Sequence, residues 1–443
     1  VTDTETILQR LRDFESRNVT FMEPDGSWPI VWERARGVHV WDTTGKKYLD
    51  LTAAFGVAAA GHANTRVVRA GQKQMGTLLH AMGDVHPHAL KAGLARELSA
   101  LTFERWAGNR RGKTIFGNSG FEAVEAALKT AALATGRSGV IAFAGAYHGL
   151  GYGTLNATHR EHFRGPFRNQ LREFGQFVPF PLELGTNTRD RMLSQHRVLA
   201  QTAAGLREIF RREPIGAILV EPVQARGGIN VPPPGFLPLL SELCAEHGAL
   251  LILDEIYTGF GRTGKWFACE HSGTVPDLIC LGKALTGGFP LSACVGRASL
   301  MDTAWPATNG EAIHTSTYLG HPVGCAMALA QIRELKRLKL PARAAQLGAA
   351  LLKKLAPLHR QKGNLRCQIR GLGLMAGVEL TRPDGTPDTH TALTAIKTLL
   401  QRGYIFLPEG EHGNIISFTP PLTISAAQLN EAVEALAEVL AGA

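Results

Sequence analysis

The stretch Asp277-Leu278-Ile279-Cys280-Leu281-Gly282-Lys283-Ala284-Leu285-Thr286-Gly287-Gly288 decides the fold. An apolar run of strand type stops at Gly282, a lysine follows, and a glycine-rich turn closes the segment. Upstream, Leu250-Leu251-Ile252-Leu253-Asp254-Glu255 repeats the design with two acids at its tail. Short apolar runs without polar alternation are the pattern of strands covered on both faces.

Working outward, the pattern recurs from about residue 112. Strands are expected at Lys113–Phe116, Gly139–Phe143, Gly216–Glu221, Ala249–Glu255, Asp277–Gly282 and Ser292–Val295. Helices are expected at Gly120–Thr135, 190–211 and Gly235–His247. Strands alternating with helices predict a mostly parallel sheet sandwiched by helices. Before this region the sequence predicts a helix over 1–20, a hairpin within 28–52 turning at Thr43-Thr44-Gly45-Lys46, and helices over 65–80 and 88–101. Beyond about 320 the texture changes to helices over 322–360, strands within 369–380 and 404–419, and a terminal helix over 425–441. The expected organisation is α/β: an N-terminal segment, 1–64, packing with a small α+β domain, 321–443, around a large domain, 65–320.

A chain of 443 residues exceeds what one core commonly serves. With 44% hydrophobic and 19% charged residues it reads as soluble and globular. No apolar run approaches the ~20 residues of a membrane span, and Val1 to Arg17 has no signal-peptide pattern. Six cysteines without a C-x-x-C pair read as reduced core thiols of a cytoplasmic protein. The net charge of +9 is dispersed in short clusters such as Asn109-Arg110-Arg111-Gly112-Lys113, which argues against a nucleic-acid partner and suits acidic, phosphate-bearing ligands.

Ligands of open α/β sheets gather beyond the carboxyl ends of the strands. Those ends carry Asn118-Ser119-Gly120, Tyr147-His148-Gly149, Glu221, Asp254-Glu255 and Lys283. A lysine amine with a carboxylate suits a carbonyl-bearing pyridinium cofactor, the amine forming a Schiff base and the acid keeping the ring nitrogen protonated. Ser119 with Glu122 reads both as a capping box and as the helix N-terminus of an anion site. Tyr147 could stack on a flat ring or simply pack at the sheet edge. His86-Pro87-His88 lacks a third ligand at metal spacing, so no metal is expected. Gly259-Phe260-Gly261-Arg262-Thr263-Gly264 matches G-x-G-x-x-G but does not join a strand directly to a helix, so a dehydrogenase is weakly supported.

Taken together, Asn118-Ser119-Gly120-Phe121-Glu122-Ala123, Tyr147-His148-Gly149, Glu221-Pro222-Val223-Gln224, Asp254 through Gly264, Gly282-Lys283-Ala284-Leu285 and His314-Thr315-Ser316-Thr317-Tyr318 resemble the class III (ω-type) aminotransferases. The resemblance runs from about Gly37 to the C-terminus. It implies fold type I, with a seven-stranded type of sheet, and pyridoxal 5′-phosphate as cofactor. By the resemblance Lys283 would carry the cofactor as a Schiff base and shuttle a proton. Asp254 would pair with the ring nitrogen, supported by Glu221. Tyr147 and Ile256 would sandwich the ring beside His148. Ser119, Gly120 and Phe121 would hold the phosphate, and Ser316 and Thr317 would reach it from the second subunit of a homodimer, which could pair further into a tetramer.

The chain departs from that family in its substrate positions. Tyr257 stands where Gln often contacts the ring hydroxyl, so that contact either persists through the phenol or is lost. Arg226 stands where many members carry Glu, and Ser417 where they carry Arg. Arg226 reads either as the carboxylate-binding group for a 2-oxo acid or as an exposed loop residue. Phe55, Val57 and Trp28 read as pocket lining or as core. The expected reaction is amino transfer from an amine or ω-amino acid to a 2-oxo acid such as pyruvate or 2-oxoglutarate. A decarboxylase, phospholyase or aminomutase on the same cofactor is the alternative.

Overall fold

A computed structural model describes residues 3–106, 108, 110–182, 188–358 and 365–442. Val1, Thr2, Ala107, Asn109, 183–187, 359–364 and Ala443 lie outside the described residues, and with them those parts of the expected elements. Among the described residues, fifteen strands form three sheets. They begin with β1 (Trp32–Arg36), β2 (His39–Asp42) and β3 (Lys47–Asp50). The middle set is β4 (Gly112–Gly117), β5 (Gly139–Phe143), β6 (Gly175–Val178), β7 (Ile215–Val220), β8 (Leu250–Asp254), β9 (Leu278–Leu281) and β10 (Ser292–Arg297). The last are β11 (Arg366–Gly371), β12 (Ala376–Thr381), β13 (Tyr404–Ile405), β14 (Leu407–Glu409) and β15 (Ile415–Phe418).

The central sheet has the order β4-β10-β9-β8-β7-β5-β6. Pairings from β6 through β9 are parallel, and β10 runs against both β9 and β4. Every residue of β7, β8 and β9 is buried, the outcome their uninterrupted apolar runs required. Helices Gly120–Thr135 and Phe236–His247 lie in two separate cores, one with Val124, Ala127, Ile252 and Cys280, the other with Leu240, Leu243, Leu251 and Leu253. Successive residues of β8 thus feed opposite faces, as the strand period of two demands.

Among the elements that escaped the sequence reading are a strand and a longer helix. Strand β6 is a four-residue edge strand in a loop-rich stretch. The helix Thr389–Gln401, capped by the Asp388 side chain, buries Ala392, Ala395, Ile396, Leu399 and Leu400, a helical period that its threonines obscured. The hairpin turn is held by Asp42 Oδ1, which accepts from the N–H groups of Thr44 and Lys46. Strand β3 then pairs in parallel with β13, Leu49 opposite Tyr404. Strands β11-β12-β15-β14 form the third sheet. All six cysteines are buried and unpaired. Among the described residues no helix is long and apolar enough to cross a membrane.

Candidate active site

The carboxyl ends of β5, β7, β8 and β9 converge. Lys283 follows β9 with φ 45°, a strained left-handed setting for a residue with a side chain. Its Nζ lies 3.7 Å from the centre of the Tyr257 ring. Burial pushes the ammonium down to about 8, against the opposing pull of Asp254, Glu221 and Glu409. An amine so placed is the free base about a tenth of the time at pH 7, far more often than an ordinary lysine.

Asp254 ends β8 and is buried. Its Oδ1 accepts from the N–H of Ile256 at 3.1 Å, and its Oδ2 lies 2.8 Å from Nδ1 of buried His148. Among the described residues, Nε2 of His148 has no hydrogen-bond partner. Glu221, just past β7, accepts from the N–H of Tyr147 and of Ala225, both at 3.1 Å. Desolvation pushes its carboxyl up to about 7, with the Asp254 charge adding and His148 opposing. Glu221 thereby ties the loop that carries Tyr147 to the loop that leads to Arg226.

Helix Gly120–Thr135 starts at N-cap Ser119. The Glu122 carboxylate accepts from the N–H groups of Asn118 and Ser119 at 2.7 and 2.6 Å and from the Ser119 hydroxyl at 3.0 Å. The capping reading therefore holds, and the amides of Gly120 and Phe121, at the helix's first turn, are left for an outside acceptor. A Cβ on Gly120 would meet Ile256 Cδ1 at 3.1 Å, so this helix start adjoins the turn after β8. Gly149 packs so closely on Phe121 that a Cβ there would stand 2.3 Å from the phenylalanine's own.

Beside these groups opens a cavity of about 320 Å³. Trp28, Phe55, Arg226, Ile396, Leu407 and Glu409 contribute to its wall, and Lys397 and Glu23 close an ion pair at its rim, 2.7 Å apart. Phe55 sits in four consecutive left-handed residues, Ala53 to Gly56. Arg226 lies with its guanidinium 5.2 Å from the Tyr147 ring centre and its Nε 3.8 Å from Glu409 Oε2. Glu409, Lys397 and the helix Thr389–Gln401 were not anticipated. The alternation within 404–419 was visible, but nothing in it marked Glu409 as an inward acid. A larger groove, about 740 Å³, is lined by Arg96, Arg111 and Lys113 at the amino end of β4, away from Lys283.

Apart from Tyr257, whose ring lies against Lys283, the remaining sequence-singled residues fall elsewhere. Tyr257 directs its hydroxyl to Thr419 Oγ1 at 3.1 Å. Ser417 is buried and donates to the carbonyl of Leu407 at 3.1 Å, and it is not part of the cavity wall. Thr317 is exposed and Ser316 half-buried; their neighbour Thr315 hydrogen-bonds Asp84, and Tyr318 packs edge-on against His80. His88 caps the helix Ala89–Leu101 and reaches the carbonyl of Gly320. Gly259 to Gly264 forms turns leading to a short 3-10 helix, with buried Arg262 donating to the carbonyls of Leu374 and Pro420, so it does not form a nucleotide cradle.

Residues 21–440 match the family model for aminotransferase class-III. The chain belongs to the class III aminotransferases. The aminotransferase is 37% identical over 417 residues to the 5-aminovalerate aminotransferase DavT of Pseudomonas aeruginosa, covering 93% of each chain. It is 35% identical over 418 residues to the 4-aminobutyrate aminotransferase GabT of Escherichia coli, again with 93% of each covered. In structure it matches an (S)-enantioselective omega-transaminase from Thermomicrobium roseum with a TM-score of 0.90 at 28% identity, covering 100% of this chain and 99% of the other. The aminotransferase therefore has the fold of the pyridoxal-phosphate transaminases and uses pyridoxal 5′-phosphate. The residues present fit that group: a buried amine of lowered basicity, a carboxylate held by His148, and a helix start with open amides.

Proposed function

We propose that this aminotransferase moves an amino group from an amine or ω-amino acid to a 2-oxo acid, with Arg226 receiving the acceptor's carboxylate. The observation that carries the reading is the place of Arg226: its guanidinium borders the cavity beside Tyr147. The alternative cation, Lys397, is already closed on Glu23. The names of the relatives, with their 5-aminovalerate and 4-aminobutyrate donors, support an ω-amino acid among the substrates.

When bound, pyridoxal 5′-phosphate supplies an aldehyde carbon and an electron-accepting pyridinium ring. The amides of Gly120 and Phe121 would hold its phosphate, with the Ser119 hydroxyl turning from Glu122 to join them. Asp254, oriented by His148 and the Ile256 amide, would hold the proton on the ring nitrogen. Tyr147 and Ile256 would flank the ring. The Nζ of Lys283 would take the proton from the substrate's amine-bearing carbon and return one to the product side. Phe55 and Trp28 would exclude water from the donor's apolar part. Ser316 and Thr317 would act from the partner subunit of a homodimer, and the buried, unpaired cysteines accord with a cytoplasmic setting. A donor–acceptor screen of the holoenzyme tests the reaction: release of carbon dioxide or phosphate in place of amino acid formation sinks it. Arg226→Ala should raise KM for pyruvate or 2-oxoglutarate about tenfold or more, the scale of a lost charged contact. Unchanged KM values with every acceptor end the role given to Arg226.

A further inference from the structure

Tyr257 meets Lys283 with a ring face. Nζ lies 3.7 Å from the ring centre, well inside the reach of an ammonium–π contact. Among the described residues that Nζ has no hydrogen-bonded or ion-paired partner, although Asp254, Glu221 and Glu409 pull on it from farther off and Arg226 opposes them. The ring is fixed in place. It packs with Val223, Ala225, Ile229 and Met375 in a small buried core. Gly56, with φ 80°, leaves room for its edge: a Cβ there would stand 2.9 Å from Tyr257 Cε1. Its hydroxyl lies 3.1 Å from Thr419 Oγ1, and Thr419 gives its own single hydroxyl proton to the carbonyl of Thr52 at 3.3 Å. Tyr257 is therefore the donor of the pair, and its proton is committed. Burial pushes the phenol up as well, so it does not ionise beside the lysine. What Tyr257 offers Lys283 is the π face and not the hydroxyl.

We propose that Tyr257 is a positioning residue for Lys283, its ring face holding the ammonium that Lys283 becomes when it takes the substrate's proton. The inference rests on the reading of Lys283 as the amine that moves that proton. Within one turnover Nζ has to be both base and acid. The C–H bond at the amine-bearing carbon breaks, its electron pair passes toward the pyridinium ring, and an N–H bond forms on Nζ. That N–H bond breaks again when the proton is returned. In a buried site the charged form is the costly one, and burial does push the Lys283 ammonium down to about 8. A carboxylate in contact would offset the cost but could take the proton itself. A ring face attracts the ammonium, offers the neutral amine little, and binds no proton. Tyr257 thus stabilises the charged form without competing for what it carries. The strained backbone at Lys283, φ 45°, and the seat at Gly56 fix amine and ring against each other.

The test compares Tyr257→Phe, which keeps the ring and drops the hydroxyl, with Tyr257→Leu, which drops both. Full-length apoprotein is mixed with pyridoxal 5′-phosphate over a range of pH, and capture is followed by absorbance. Capture needs the free amine, which adds to the aldehyde with loss of one water, so its pH midpoint reports on Lys283. Asp254, Glu221, Glu409 and Arg226, the charged groups facing Nζ, stay in place in every variant, as do Arg262 and Asp50, which act on Tyr257 itself. Without the ring the ammonium loses support, so Tyr257→Leu should move the midpoint down by about one pH unit or more, tenfold in the proton equilibrium. Tyr257→Phe should stay within about twofold of the parent. The same displacement should appear in the pH profile of the donor half-reaction in the holoenzyme with 4-aminobutyrate, and its absence there would overturn the proposal. Should the leucine variant fail to fold, Tyr257→Met is measured against the same expectation. Equal shifts in the ring-free and phenylalanine variants would assign the effect to the Thr419 contact and overturn the proposal, and so would no shift in either. If Lys283→Ala captures the cofactor with the parent's profile, the reading of Lys283 fails and takes the inference with it.

Discussion

Glu221 carries one share of the electrostatic cost of this site. Its carboxyl is shifted from 4.5 to about 7 because burial outweighs the two amides that favour its charge. The sign of the consequence follows from proton counting. Between pH 4.5 and about 7 the folded apoprotein holds a proton at Glu221 that the unfolded chain has released, so this residue makes stability fall as pH rises through that window. The full shift corresponds to roughly 3 kcal/mol at most. Thermal unfolding of the apoprotein across that window should flatten in Glu221→Gln; an unchanged pH slope would refute the assignment. Sequence reading found Glu221, Asp254 and Lys283 because each is a charge at the end of an apolar run, where packing gives no reason for it. It did not find Glu409, which looks like any acid in a surface strand until β14 folds against the loop of Arg226.

At the scale of elements, the start of the helix Gly120–Thr135 and the turn after β5 are fitted to each other at Gly149. That residue has φ 115° and no room for a Cβ beside Phe121. Gly149→Ala should cost about 1–3 kcal/mol through strain and overpacking. It should also hasten cofactor loss, because Phe121 carries one of the open amides. Melting temperature and cofactor retention after gel filtration measure the two effects, and an alanine variant matching the parent in both would contradict the packing argument. Strand β8 and helix Gly120–Thr135 were legible from apolar period and caps. Helix Thr389–Gln401 was not, since threonine at its start favours extended structure and only its docking against β13 to β15 settles the outcome.

At the scale of the molecule, Met75, Leu78, Leu79, Met82 and Val85 are exposed in one segment, and exposed Tyr318 packs beside it through His80. A monomer seldom leaves such a run of apolar side chains in water. A second copy of the chain covering it would also bring the segment of Ser316 and Thr317 to an interface. Sedimentation should give twice 47.7 kDa. Leu79→Asp should shift the protein toward monomer and reduce activity with it; a fully active monomer would exclude a shared site. The order of the motifs made the family readable from the chain, while the pocket drew on segments whose meeting no local pattern announces.

The parallel pairing of β3 with β13 also sets a timetable for synthesis. The hairpin leaves the ribosome well before the strand that completes its sheet, Tyr404–Ile405, which follows the whole central sheet in the chain. Contacts so distant in sequence form late and slowly. During that wait the edge of β3 is open, and Trp28 and Phe55 have no opposing wall from Leu407 and Ile396. The central sheet can be finished while the donor cavity does not yet exist. A nascent chain can therefore complete the strand ends that carry Asp254 and Lys283 before it has the cavity walls of Leu407 and Ile396.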